Sequence, residues 1–412
     1  MNDRSKDMDA QQEPRQEPRK IEIGWLLAHE LSDADLETIQ KARESMSAWL
    51  TEHFPRFDWR MPLVRRAGAV TQRFIEPSQL LVEGVVEREM RHWDFALVVT
   101  RGDLQSHYKP FALAVPSRAM GVAVISTVRL LPEQTEDVDA EAPPCRRVML
   151  CRLRTLALHL LGDLNGLPHG DGEEDLMFEP ASVKELDRMK NFSEQGGRQL
   201  EQELAKVGDL RLEERPASHK MGIAVFYLHA LRIGWRDIAS AIVQARPWEF
   251  PFRLSRLTTA ALSALLILLM TAEVWDLGMN QSPGLVALLS VGSLGGTSIY
   301  VLNRQNLLLH RGRRRLTEQK VFANISTSIV VLLGMTTTYL LLFGLAMLLG
   351  QLLFPRALVE SWAASLPQTV SLGHYFIQAG FVSSLGILIG ALGASFEGTP
   401  YFRHICFVDE EI

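Results

Sequence analysis

The chain has 412 residues, of which 47% are hydrophobic and 22% charged, and a net charge of −5. That length leaves room for two or three domains, and three scattered cysteines (Cys145, Cys151 and Cys406) exclude a disulfide framework or a Cys-x-x-Cys metal site. A mean hydropathy near zero hides a sharp division: residues 1–256 are charged and mixed, whereas residues 257–396 are strongly apolar.

In chain order, residues 1–19 are polar and read as a disordered tail, with no cleavable signal peptide expected. Lys20–Ala28 alternates and then runs apolar, as a sheet strand does. Ser32 caps a helix reaching about Phe54, with Asp33 and Asp35 favouring its N-terminal end. Asp58–Arg66 reads as a second strand, Ser78–Arg91 as a helix, Trp93–Thr100 as a buried strand and Val122–Leu130 as another. Pro132–Pro144 is an acidic loop. The expected fold class is therefore an α/β sandwich followed by an all-α membrane domain.

Arg146–Leu164 is an Arg-flanked apolar helix with Val148, Leu153, Leu156, Leu160 and Leu164 near one face. His159 and Asp163 lie four apart and project from one side of it. Gly166 can take φ > 0 and turn the chain, so that His169 returns toward the same point. Imidazole, carboxylate and imidazole form an acceptable ligand set for Zn²⁺. The stretch closes at Asp175-Leu176-Met177.

The spacing of His159, Asp163, Gly166, His169 and Met177 resembles the metzincin pattern H-E-x-x-H-x-x-G-x-x-H with its Met-turn. Leu160 stands where the general-base Glu belongs, and Asp163 where the second His belongs. The spacing from His169 through Gly170 and Asp175 to Met177 is similar to that of the archaemetzincin branch, although two cysteines found there are missing here. In that branch they belong to a second, structural zinc site, which this chain is expected to lack. Gly121–Leu130 looks like the family's strand before the active-site helix, and the resemblance covers roughly residues 20–180. It implies a zincin-like fold with His159, Asp163 and His169 as candidate zinc ligands and Met177 packing beneath them. It implies no working peptidase: Leu160 has no proton to exchange, and hydrolysis needs a base that relays one to the leaving amine. Glu173, Glu174 and Glu179 are near in sequence but out of register for that role. Without a metal, His159 and Asp163 are expected to pair across one helical turn. A leucine-rich helix ending in Gly-Leu-Pro-His, with solvated or capping polar groups, is the plain alternative.

Beyond the metzincin-like domain at 20–181, residues 182–254 read as a helical connection. Ser182–Glu214 is charged and helical, and Met221–Ala245 is amphipathic, suited to a membrane interface. Arg246–Arg253 forms an aromatic, Pro-broken collar. A four-helix membrane domain follows at 255–396, with spans at Leu257–Leu277, Pro283–Leu302, Phe322–Gly350 and within Leu372–Phe396. Gly292/Gly296 and Gly386/Gly390 permit close helix approach inside that unit. The connection Asn303–Lys320, with Arg304, Arg311, Arg313, Arg314, Arg315 and Lys320, marks the inside of the membrane. The soluble domain, both termini and the tail at 397–412 are then expected in the cytoplasm of a multi-pass protein of a bacterial-type inner or plasma membrane. Expected partners are the lipid bilayer and a protein or peptide held in the cleft, not nucleic acid. The functional expectation is binding or regulation. The alternatives are a membrane-bound zinc metallopeptidase with rearranged ligands and a small transporter or channel subunit.

Overall fold

In the computed structural model, the described residues are 19–28, 31–66, 74–131, 143–207, 245–308, 318–366, 369–395 and 399–412, with isolated positions between 235 and 243. Nearly all of the N-terminal tail, most of the amphipathic segment at 221–245, most of the acidic loop and the Arg-rich centre of the 303–320 connection lie outside them.

The soluble part is a mixed α/β layer structure. Strand β1 (Arg19–Ala28) leads to helix α1 (Asp33–His53), whose cap is Ser32: its hydroxyl accepts from the Asp35 N–H at 3.1 Å. The expected strand at 58–66 is two strands, β2 (Phe57–Arg60) and β3 (Leu63–Arg66), which pair with successive halves of β1. Pro62 explains the break, since it has no N–H to donate, while its carbonyl accepts from Trp25 N at 2.8 Å. A short strand, β4 (Phe74–Ile75), precedes α2 (Pro77–Arg91), which carries proline at its first turn. Then come β5 (Phe95–Thr100), β6 (Asp103–Leu104), β7 (Ala114–Ser117), β8 (Val122–Ser126) and α3 (Pro143–Leu164). Strand β8 ends four residues before the expected Leu130, where the chain turns.

The main sheet has the order β2-β1-β5-β8-β7, parallel except for β7, with β3 also on β1. Alternate side chains face opposite layers. Ile21, Ile23, Trp25 and Leu27 pack under α1 and α3, whereas Leu26, Ala28, Val98 and Val124 pack toward α2. Apolar burial on both faces is what a parallel sheet requires. The second core continues without interruption into the membrane helices.

The charged stretch after the Met-turn is less helical than expected: one 3-10 turn at Glu185–Asp187, then α4 (Glu194–Val207). The turn is anchored by buried Arg152, which donates through Nε and Nη2 to the two Asp187 oxygens, each at 2.8 Å.

The C-terminal region is helical. Among the described residues, three helices are long and apolar enough to cross a bilayer: α7 (Pro283–Arg304), the Val321–Leu352 part of α8 (Glu318–Leu352), and α10 (Leu372–Ala394). A fourth candidate is a bent pair, in which Pro247–Arg253 meets α5 (Ser255–Leu269) at 77°. The expected first span does not run through to Leu277, because the helix breaks at Met270–Thr271 before α6 (Ala272–Met279). Trp275 Nε1 donates to the freed Leu269 carbonyl at 2.8 Å, so the break is satisfied from within. Of the small-residue pairs, Gly386 and Gly390 do pack closely, against Ala261 and Leu257 of α5, while Gly292 and Gly296 have open space beside them. Phe250 of the aromatic collar is buried, with its ring against Gly334, while Trp248 and Phe252 remain exposed.

The bundle has two distinct ends. At one, Trp275 meets Phe354, Trp362 and Tyr375, with α9 (Arg356–Trp362) alongside. At the other, the Arg253 guanidinium lies 4.6 Å from the Tyr108 ring centroid, and Gln305 Nε2 donates to Ala394 O at 2.7 Å. Helix α11 (Thr399–Phe407) packs there against α2 of the soluble domain.

Candidate functional site

Helix α3 presents His159 and Asp163 on its last turns and ends at Leu164. Gly166 then takes φ +70°, and Leu167 N donates back to Gly162 O at 3.1 Å. A Cβ at Gly166 would lie 2.1 Å from Arg118 Nη1, so both the backbone and the space favour glycine there. The reversal carries His169 back over the end of α3. Gly170 N donates to Met177 O at 2.9 Å and closes the loop that the sequence reads as a Met-turn. Met177 is buried beneath α3, where a Cβ on Gly162 would come within 2.2 Å of its sulfur. It belongs to the apolar core of that layer.

The sequence-predicted residues are thus brought together. His159 Nε2 lies 3.2 Å from Asp163 Oδ2, and His169 Nε2 lies 3.4 Å from Asp163 Oδ1. The two imidazoles are nearly parallel, with centroids 5.8 Å apart. A fourth group, unforeseen from sequence, completes the set: Glu410 Oε1 stands 3.3 Å from His169 Nε2. One ligand atom from each of the four residues lies within 4.8 Å of the others.

Electrostatics define what the cluster can hold. His159 is fully buried, and its Nδ1 is 2.6 Å from the Leu176 carbonyl, which can only accept. The Nδ1 proton is therefore committed, and Nε2 faces inward. Both Nε2 and Asp163 Oδ2 are buried without a hydrogen-bond partner. Two such groups aimed at one point are costly unless a cation satisfies them. An imidazole fixed through its other nitrogen is also how proteins orient metal-ligating histidines. Two imidazoles and two carboxylates suit a zinc-type ion, so the residues present fit the metal. In the metal-free cluster, hydrogen bonds first to Asp163 and then to Glu410 lift the His169 pKa to about 10, against the opposing effect of burial.

Leu160 is fully buried in the apolar core among α3 neighbours, not on the cleft. Glu173 and Glu174 are engaged on the surface with Arg188 and Lys190. Glu179 does reach the cleft wall, where Lys109 Nζ binds it at 2.9 Å and, by that hydrogen bond, lowers its pKa. The cleft encloses about 510 Å³ between His169, Asp163, Glu179, Lys109, Arg253 and Glu410.

The tail that supplies Glu410 pairs with the outer edge of β7. Ile412 N donates to Ala114 O at 2.9 Å and Ala114 N to Ile412 O at 3.2 Å, the reciprocal pair of an antiparallel ladder. Asp409 N donates to Pro116 O at 3.2 Å, and Asp409 Oδ2 accepts from Arg118 N at 2.5 Å. Burial, reinforced by the charges of Glu410 and Asp163, raises the Asp409 pKa to about 7 against that bond. Consecutive residues of an extended segment point to opposite sides, so Glu411 turns away from the cluster that Glu410 enters. Glu411 accepts from Ser106 Oγ at 2.6 Å and from the backbone N–H groups of His107, Tyr108 and Lys109 at 2.6, 2.9 and 2.9 Å. Burial alone would raise its pKa; His404, Ser106 and these amides outweigh it and hold it at about 2. Val408–Ile412 places three acidic residues between two apolar ones, so no alternation in the sequence marks the tail as a pairing segment.

No protein-family profile matches the sequence, and no curated protein sequence does. Among solved structures, archaemetzincin from Methanopyrus kandleri is similar over 47% of this chain and 98% of its own, at 20% identity and a TM-score of 0.35. A zinc-dependent peptidase from Methanocorpusculum labreanum is similar over 43% of this chain and 99% of its own, at 20% identity and a TM-score of 0.35. Archaemetzincin from Archaeoglobus fulgidus, complexed with malonate, is similar over 43% and 99%, at 18% identity and a TM-score of 0.30. The structural neighbours are thus archaemetzincin-like zinc peptidases over about half the chain.

Proposed function

We propose that the chain carries a non-hydrolytic, metal-holding domain of metzincin type, tethered to a membrane unit and closed by its own tail. His159, Asp163 and His169 are its zinc ligands, and Glu410 is the fourth. A bound zinc would supply a Lewis-acid centre and would cross-link α3, the Gly166 turn and the tail. The observation that carries this reading is the carboxylate that the tail brings to the metal position, beside a motif whose base position holds an apolar, core-buried Leu160. Pairing of the tail with β7 is strand addition, so a peptide or protein ligand of this domain competes for the same edge.

The same reading places the soluble domain in the cytoplasm. Support comes from the basic residues of the 303–320 connection. They follow α7, whose end contacts Ala394 and, through Asn306 O, Arg403. That end of the bundle also holds the soluble domain and α11, which supports an even number of crossings with α5 included.

Zinc-loaded full-length protein in detergent, assayed on a quenched peptide library, tests the reading. Neither the wild type nor Glu410→Gln is expected to cleave. Cleavage by either, lost in His159→Ala, would establish a latent peptidase and overturn it.

A further inference from the structure

We infer that a second divalent-metal site, built from Glu76, His107 and His404, joins the soluble domain to the helix that follows the last apolar span. It is independent of the motif cluster and shares no ligand with it.

The three residues come from three elements. Glu76 occupies the N-cap of α2 but makes no side-chain cap to that helix. Its carboxylate turns instead toward the histidines and is only 8% exposed. His107 lies in the loop between β6 and β7, with Nε2 at 3.3 and 3.4 Å from the two Glu76 oxygens. His404 comes from α11 and is fully buried; its Nδ1 lies 3.7 Å from Glu76 Oε1. The two imidazoles meet at an angle of 65°, with centroids 4.5 Å apart. One ligand atom from each residue lies within 4.8 Å of the others.

The second observation is the state of His404. Neither of its ring nitrogens has a hydrogen-bond partner of good geometry, although nothing around it is open to water. Nε2 is the nearer to satisfaction: Glu411 Oε1 is 2.9 Å away, close enough to hold a proton but at a poor angle. Glu411 is itself fixed by three backbone N–H groups and Ser106, so it acts as a rigid outer carboxylate. A carboxylate on one imidazole nitrogen commits the proton there and turns the other nitrogen's lone pair inward. The orphan Nδ1 is the atom that faces Glu76. An unpaired nitrogen at such depth is destabilising, and a metal bond removes that cost.

The donor set selects the ion. Two imidazoles and one carboxylate is a zinc-type combination, one that also accepts Co²⁺, whereas Mg²⁺ and Ca²⁺ prefer all-oxygen sites. The sequence-based expectation of no second zinc site concerned cysteines after His169, and these residues lie elsewhere. Because Glu76 and His107 belong to the soluble domain and His404 to α11, the ion would bind only when that helix is docked. Glu410 and Glu411, adjacent on the tail, then serve the two metal sites from opposite sides.

The test is titration of metal-stripped, full-length protein in detergent with cobalt(II) chloride, followed by visible absorption and by elemental count. Wild type is expected to take up two equivalents, and His107→Ala and Glu76→Gln one each. His107 is partly exposed and Glu76→Gln preserves shape, so both variants keep the fold. Cobalt should also raise the melting temperature of wild type more than that of either variant. His159→Ala separates this inference from the proposed function. If only that function fails, wild type binds one equivalent, which persists in His159→Ala and disappears in His107→Ala. An uptake and spectrum unchanged by both His107→Ala and Glu76→Gln, or no uptake by wild type, would overturn the inference.

Discussion

The motif cluster and the His404 cluster hold the same kinds of side chain in opposite ways. In the first, His159, Asp163 and His169 span eleven residues of one helix and its turn, and only Glu410 arrives from afar. In the second, every member is distant in sequence, and the site exists only because α11 docks on the soluble domain. A site on one helix can be formed before the rest of the fold, whereas one at a junction reports that the junction is closed. The first suits recognition in a cleft, and the second suits coupling between the domain and the membrane helices.

The largest expected effect sharpens this contrast. His404→Ala leaves a cavity between Glu76 and Glu411 where a fully buried imidazole stood, and a large-to-small change at such a site costs about 2–5 kcal/mol. Thermal unfolding of the metal-free, full-length variant should therefore show a clear loss of stability, with α11 released first. A change within experimental error would mean that the junction does not depend on this cluster.

Gly166→Ala should have a smaller effect, confined to the motif cluster. A residue with a Cβ must hold φ near +70° while displacing the Arg118 guanidinium, at a cost of about 1–3 kcal/mol. Cobalt uptake at the motif cluster should weaken while the His404 cluster is unaffected. Equal weakening of both would contradict their independence.

Sequence legibility follows the same division. Helix α3, the turn at Gly166 and the convergence of His159, Asp163 and His169 were readable because a helix has a fixed period and glycine marks a left-handed turn. Buried strands β1 and β5 were readable for their apolar runs. Strand β7 was not: Ala114–Ser117 is four residues long, contains Pro116 and lies at the sheet edge, where local pattern is weak. Missing β7 meant missing the edge on which Asp409–Ile412 pairs, and with it Glu410. The break at Met270–Thr271 was hidden because the apolar run reaches Met270 and Val274, Trp275 and Leu277 continue it, and the contact by which Trp275 satisfies the break is not visible in composition. Glu76, His107 and His404 carried no common spacing, so only the tertiary fold could assemble them.

The central claim is that the tail closes the motif cluster around a metal. Hydrogen exchange along the tail tests it most directly, measured in His107→Ala so that only the motif cluster takes up zinc. Zinc should slow exchange at the amides of Asp409–Ile412 and of Leu113 and Ala114, and Glu410→Gln should remove most of that gain. Stoichiometric zinc binding at His159 with no change in tail exchange would contradict the account.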